Sequence, residues 1–168
     1  MCLVNSYGVF IAMIEKILLL CLMLGASFSV SAKDPDGFYA VQELFDGIST
    51  RNHEKISHNV SPDFQLLEVG EVWNLKDLIT ALKSIDPKIT RRSFFKVIDY
   101  RVMVNVVTVS YWNKAMMQNG QNTEVKIWLE SAVLKKDNEQ WRIHLLHSTR
   151  LTADNYPKTI EYEEYIGD

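Results

Sequence analysis

Glu130 and His147 are the side chains of this sequence best suited to moving a proton. They lie in "WLESAVLKKDNEQWRIHLLHSTR", residues 128–150, where two apolar runs flank a polar turn at Asp137-Asn138. Strand alternation along the second run puts Trp141, Ile143, Leu145, His147 and Thr149 on one face, with Arg142, His144, Leu146, Ser148 and Arg150 on the other. If Lys136 pairs with Glu139, Glu130 falls opposite Leu145 and Trp128 opposite His147, so carboxylate and imidazole sit diagonally on the inner face. A carboxylate so placed can orient a histidine general base. A one-residue slip carries Glu130 to the other face and separates the pair. Asp63 is a third candidate: at a pocket mouth it could remove a proton, and after Pro62 it reads equally as a turn residue. Plainer readings exist for the first two as well. His147 can be a half-buried histidine with one hydrogen bond, and Glu130 a solvated or dimer-interface carboxylate balancing Arg142 or Arg150.

The aromatic residues suggest what such a pair would act on. Tryptophans stand at 73, 112, 128 and 141. With Tyr111, Phe64, Tyr100 and Phe94 they could wall an apolar pocket that has a few polar tips; the alternative is that they fill the core. Trp141 reads as core, Trp73 and Trp112 as pocket or rim. No metal or other cofactor is expected. His53 and His58 are five apart and do not share a helix face, and His144 and His147 diverge on a strand. There is no glycine-rich phosphate loop, no Gly-x-Ser-x-Gly turn and no basic-aromatic stripe for nucleic acid. A net charge of −3 over 168 residues, with 47% hydrophobic and 23% charged, fits one globular domain and points to neither nucleic acid nor a membrane surface.

The elements that must hold these residues begin after residue 32. Lys16, the apolar run Ile17–Leu24 and the small residues ending in Val30-Ser31-Ala32 have the layout of a secretory signal cleaved after Ala32, with Met13 as a possible true start. The expected product is an exported chain of 136 residues, periplasmic or secreted. Both cysteines, Cys2 and Cys21, leave with the signal, which removes disulfides, thiol catalysis and thiolate metal sites together.

Val41, Leu44, Phe45 and Ile48 then form one apolar helical stripe. Asn52 can cap a second, short helix, and Ser61-Pro62 leads into a first strand, "DFQLLEV". Asn74 can cap a third helix carrying Leu75, Leu78, Ile79 and Leu82, stopped at Asp86-Pro87. From Arg91 the period changes from 3.6 to 2. Residues 91–115 make two strands turning near Asp99 to Arg101, or one long bulged strand, and the 128–150 hairpin follows. Helices first and antiparallel strands after make an α+β domain, with helices on one face of a curved sheet. The acidic, tyrosine-rich tail from about residue 152 reads as a poorly tethered end.

Asp63-Phe64, the Gly70-Glu71-x-Trp73 entry to the third helix and the final strand from Trp141 to His147, in this order, resemble the nuclear transport factor 2-like superfamily in its SnoaL-like branch of small, often exported bacterial domains. The resemblance covers roughly residues 38–151. It implies a cone-shaped, cystatin-like α+β fold with a pocket at the wide end and a sheet face free for homodimerisation. Activity it leaves open, because the superfamily holds isomerases, dehydratases, cyclases, adaptors and oligomerisation modules. Asp99 beside Tyr100 resembles the aspartate and tyrosine of ketosteroid isomerases, though the flanking residues do not match. The expectation is a domain that binds a small hydrophobic molecule. The alternatives are a cofactor-free enzyme using a His/carboxylate pair, and a dimeric protein-interaction module that draws on outward Arg142, Leu146 and Arg150 and the tail.

Overall fold

A computed structural model describes residues 37–167. The signal segment expected over 1–32 lies outside the described residues.

Helix α1 (Tyr39–Thr50) buries Val41, Leu44 and Phe45, the stripe its spacing predicts. Helix α2 (His53–His58) is capped by Asn52, whose side chain accepts from the Lys55 N–H at 3.0 Å. The two helices approach closely at Gly47, where an added Cβ would stand 2.8 Å from the Ile56 side chain. Strand β1 (Val60–Glu68) and the short β2 (Glu71–Trp73) lead to α3 (Leu75–Lys83). A capping box closes the start of α3: Asn74 accepts from the Lys76 and Asp77 N–H groups, and Asp77 accepts from the Asn74 N–H.

Three long strands follow: β3 (Thr90–Met103), β4 (Val106–Asn119) and β5 (Asn122–Asp137). β6 (Gln140–Arg150) completes the hairpin, and β7 (Glu163–Tyr165) ends the fold. β3 is one bulged strand, with its irregularity between Val97 and Asp99, so the turn lies beyond Met103 rather than near residue 100. The sheet runs β2-β1-β6-β5-β4-β3-β7. It is mixed rather than wholly antiparallel, because β1 and β6 are parallel. Alternate residues of β4, Val107, Val109, Tyr111, Asn113 and Ala115, face the helices and are buried. The core joins them to the α1 stripe, Ile143 and Leu146.

The tail departs from the sequence expectation. Instead of hanging free, it turns through a 3-10 segment (Ala153–Asn155), is held by Tyr156 Oη donating to the Val125 carbonyl at 3.0 Å, and adds β7 to the free edge of β3. Arg92 grips Glu164 with two hydrogen bonds, Tyr165 donates to Glu43, and Lys114 lies between the rings of Phe94 and Tyr162. Pairing, not periodicity, orders this segment, and pairing leaves no apolar repeat to read.

The β1–β2 turn stores strain that can be removed. Val69 and Gly70 both have positive φ, 54° and 79°, the geometry of a tight hairpin turn. Glycine tolerates it, but a β-branched residue is penalised by about 1–2 kcal/mol. Val69 is 82% exposed and has little packing to lose. Val69→Asn is therefore expected to stabilise the protein by about 1 kcal/mol in urea denaturation.

Candidate functional site

The 128–150 hairpin turns on Asn138-Glu139, both with positive φ, and pairs Asp137 with Gln140. This is a different register from the Lys136–Glu139 pairing expected from sequence. Further along, Leu134 pairs with Ile143 but Val133 with Leu145, so His144 is an extra residue, a β-bulge. The bulge reverses the parity of β6. Ile143 is buried before it, and Leu146 and Ser148 are buried after it, while His147 faces outward. Glu130 therefore lies opposite Ser148, and His147 opposite Ser131. The diagonal pair expected on the inner face is not formed.

Glu130 is inside and 4% exposed. Ser148 Oγ donates to Oε1 at 2.9 Å, and Asn113 Nδ2 to Oε2 at 3.1 Å. The Tyr111 hydroxyl also favours the ionised carboxylate, although it makes no hydrogen bond of good geometry. Burial outweighs these partners and the nearby Arg91 charge, and pushes the Glu130 pKa up to about 7. The same burial, with Glu130 beside it, holds the Tyr111 hydroxyl far above its ordinary range.

Above this carboxylate is a cavity of about 210 Å³. Leu44, Phe45 and Ile48 of α1 and Leu78 and Leu82 of α3 form one wall; Leu66, Trp73, Trp128 and Leu146 form the other. Its polar groups are Glu130, Ser148, Glu68 and Arg91. Arg91, at the start of β3, stacks over the rings of Phe45 (5.2 Å) and Trp128 (5.5 Å) and donates from Nε to Ser93 Oγ at 3.2 Å. Burial lowers its pKa to about 10, which leaves it charged at neutral pH. A neighbouring chamber of about 570 Å³ shares Ile48, Leu82, Ile85 and Arg91 with the first.

Of the expected pocket residues, Trp73 and Trp128 line this cavity and Tyr111 lies under its floor, opposite Glu130. Phe64 is core. Trp112 is on the outer face, between Lys96 of β3 and Leu129 of β5. Phe94 is also outer, beneath Lys114, and Tyr100 is 48% exposed. Trp141 packs on the core, against Gly37. Leu146 is buried by the same bulge and is not part of an outward binding stripe.

Asp63 is at the surface, away from Glu130. Its Oδ1 lies 3.0 Å from His144 Nδ1 and accepts from Ser61 Oγ at 2.7 Å. Lys135 Nζ donates to His144 Nε2 at 3.0 Å, which leaves the proton on Nδ1, facing Asp63. The Ser61 hydrogen bond, ahead of His144, holds Asp63 below the usual carboxylate range. His147 instead lines an open groove of about 980 Å³ with Arg150, Glu124 and Tyr156. Among the described residues no group of three His, Cys, Asp or Glu side chains could hold a metal ion, and no helix is long and apolar enough to cross a membrane.

Arg91, Ser148 and Asn113 are the site residues that sequence reasoning missed. A signal existed for Arg91: it shares strand parity with Ser93 and Phe95, so a charge was to be expected on the inner face.

Solved structures of low sequence identity share this bent sheet and its helices. An NTF2-like protein from Cytophaga hutchinsonii superposes with a TM-score of 0.55 at 20% identity, covering 68% of this chain and 94% of that one. The fold is nuclear transport factor 2-like. The same nuclear transport factor 2-like frame appears in the CamKII hub homology domain of Chlamydamonas reinhardtii (TM-score 0.60, 18% identity, 70% of this chain and 96% of that one). A ketosteroid isomerase-like protein from Erwinia carotovora atroseptica also has it (0.55, 11%, 68% and 92%). No protein-family profile matches the sequence, and comparison with curated proteins finds no match.

Proposed function

We propose that this domain is exported and takes a small, largely apolar molecule into the cavity above Glu130. The observation that carries the reading is the cavity itself: apolar and aromatic walls with a few polar groups converging at one end, the usual make-up of a small-molecule site. A cavity of about 210 Å³ limits the guest to a small molecule. The purified protein is expected to gain about 2–3 kcal/mol of stability from a fitting compound held near a hundred times its Kd, with a change in Trp128 fluorescence. A panel of small cyclic and linear compounds that moves neither melting temperature nor fluorescence would defeat the reading.

The alternative is a cofactor-free isomerase, dehydratase or cyclase. What favours it is a carboxyl group that titrates near neutrality beside a guanidinium, since a base poised near 7 is efficient and a cation can steady the developing oxyanion. In this version Glu130 acts without His147 or Asp63. Turnover of a bound ketone, abolished in Glu130→Gln with binding kept, would distinguish enzyme from binder.

Self-association belongs to the same proposal. Trp112, Val133 and the 39%-exposed Leu129 give the outer sheet face an apolar centre, and hub and association domains are among the structural neighbours. A monomer at micromolar concentration in sedimentation would remove this part. Placement in the SnoaL-like branch rests on the motifs named above. Export rests on the N-terminal pattern, and mass spectrometry is expected to find a mature N-terminus at Lys33; an unprocessed chain would refute it.

A further inference from the structure

We propose that the guest of this cavity is a small monocarboxylate whose oxygens are held by the Arg91 guanidinium, an inference that rests on the ligand-binding reading above. Arg91 Nη2 is buried and has no hydrogen-bond partner among the described residues. A buried donor on a charged group that goes unmatched is costly, more so than for a neutral one. The group is also fixed in place, stacked between Phe45 and Trp128 and held at Nε by Ser93. A planar guanidinium with an unmatched Nη2 donor is shaped for a carboxylate, which can accept from it.

The sign of the guest's charge follows from which bonds are already made. Both oxygens of Glu130 accept hydrogen bonds, from Ser148 and Asn113; Asn113 Oδ1 and the Tyr111 hydroxyl are also unmatched but do not line the cavity, so the unmatched group that does is the Arg91 donor. The other ionisable groups facing this end are Glu68 from β1, Tyr111 from β4 and Glu130 from β5, and around the outer chamber Arg51, Asp86, Glu124 and Lys126; neither Glu68 nor Glu130 forms an ion pair with Arg91. A second carboxylate would be repelled by ionised Glu130 and tolerated by the protonated acid. Binding therefore takes up a proton, and affinity weakens as pH rises through about 7. The tail of the guest fills the inner, apolar chamber, and its head lies at the junction with the outer one.

Isothermal titration of protein expressed from the full chain, with hexanoate, hexan-1-ol and hexylamine at pH 6 and pH 8, tests this. Hexanoate is expected to bind at least about tenfold more tightly than either other probe at pH 6, and about tenfold more weakly at pH 8. Arg91→Met should reduce hexanoate to the level of hexanol. Glu130→Gln, which needs no change at Arg91, should abolish the pH effect and keeps the test open if the arginine variant fails to fold. Hexanol equal to hexanoate, hexylamine the tightest probe, or hexanoate binding intact in a folded Arg91→Met would overturn the carboxylate inference and leave the apolar-pocket reading standing. Failure of these probes and of the whole apolar panel would overturn both.

Discussion

Glu130→Gln is expected to flatten the pH dependence of stability by about 3 kcal/mol between pH 5 and pH 8. In the folded protein the carboxyl group titrates near 7, against 4.5 in its ordinary setting, and burial is the main cause. Between these two values the native state keeps a proton that the unfolded chain has lost. Raising the pH through that window therefore favours unfolding, at about 1.4 kcal/mol per pH unit. Glutamine has nearly the same shape and can still accept at its one carbonyl oxygen, but it has no proton to lose. At pH 8 the variant should be more stable than the wild type, and near pH 5 equal or slightly weaker. Thermal melts across this range measure the slope directly, and an unchanged slope would mean that Glu130 is not buried as described.

Glu43 acts in the opposite direction. Burial alone would raise its pKa, but hydrogen bonds from Tyr165 and Lys55 prevail and hold it below the usual carboxylate range. Its contribution is present above about 4.5 and is lost as pH falls, so the acid limb of the profile should persist in Glu130→Gln.

The helices were legible in the sequence because a single apolar stripe and a capping side chain are local signals. The Val41–Ile48 stripe and the Asn52 and Asn74 caps all appear where spacing puts them. The long strands were legible too, through their alternation and β-branched residues. What could not be read was anything fixed by one strand's choice of partner. A single extra residue at His144 moved His147 out and Ser148 in, and no local pattern marks a bulge in a run such as "RIHLLHS". Parallel pairing of β1 with β6 joins segments about eighty residues apart, and the attachment of β7 depends on an edge of β3 that exists only once the sheet has formed. Glu130 reached the inner face through a register different from the one that suggested it.

Phe38→Ala should be among the most damaging single truncations, costing about 3–5 kcal/mol. Phe38 sits at the start of α1 and is 1% exposed. Its ring meets Phe95 edge-on at 5.9 Å and Tyr111 at 5.2 Å, so it fixes two strands against the helix. Against a total stability of about 5–15 kcal/mol for a domain, this is a large fraction. Urea denaturation measures it, with Tyr39→Ala as the comparison, since Tyr39 is 43% exposed and accepts only a long hydrogen bond from the Trp141 N–H. The effect should reach the cavity as well. Tyr111 lies opposite Glu130 under the floor, and loosened packing there admits water to the carboxylate. Burial is what raises the Glu130 pKa, so in Phe38→Ala it should fall back toward its ordinary value, and the pH slope of stability should shrink with it. A variant that loses stability but keeps the full slope would show that Phe38 supports the fold without supporting the site.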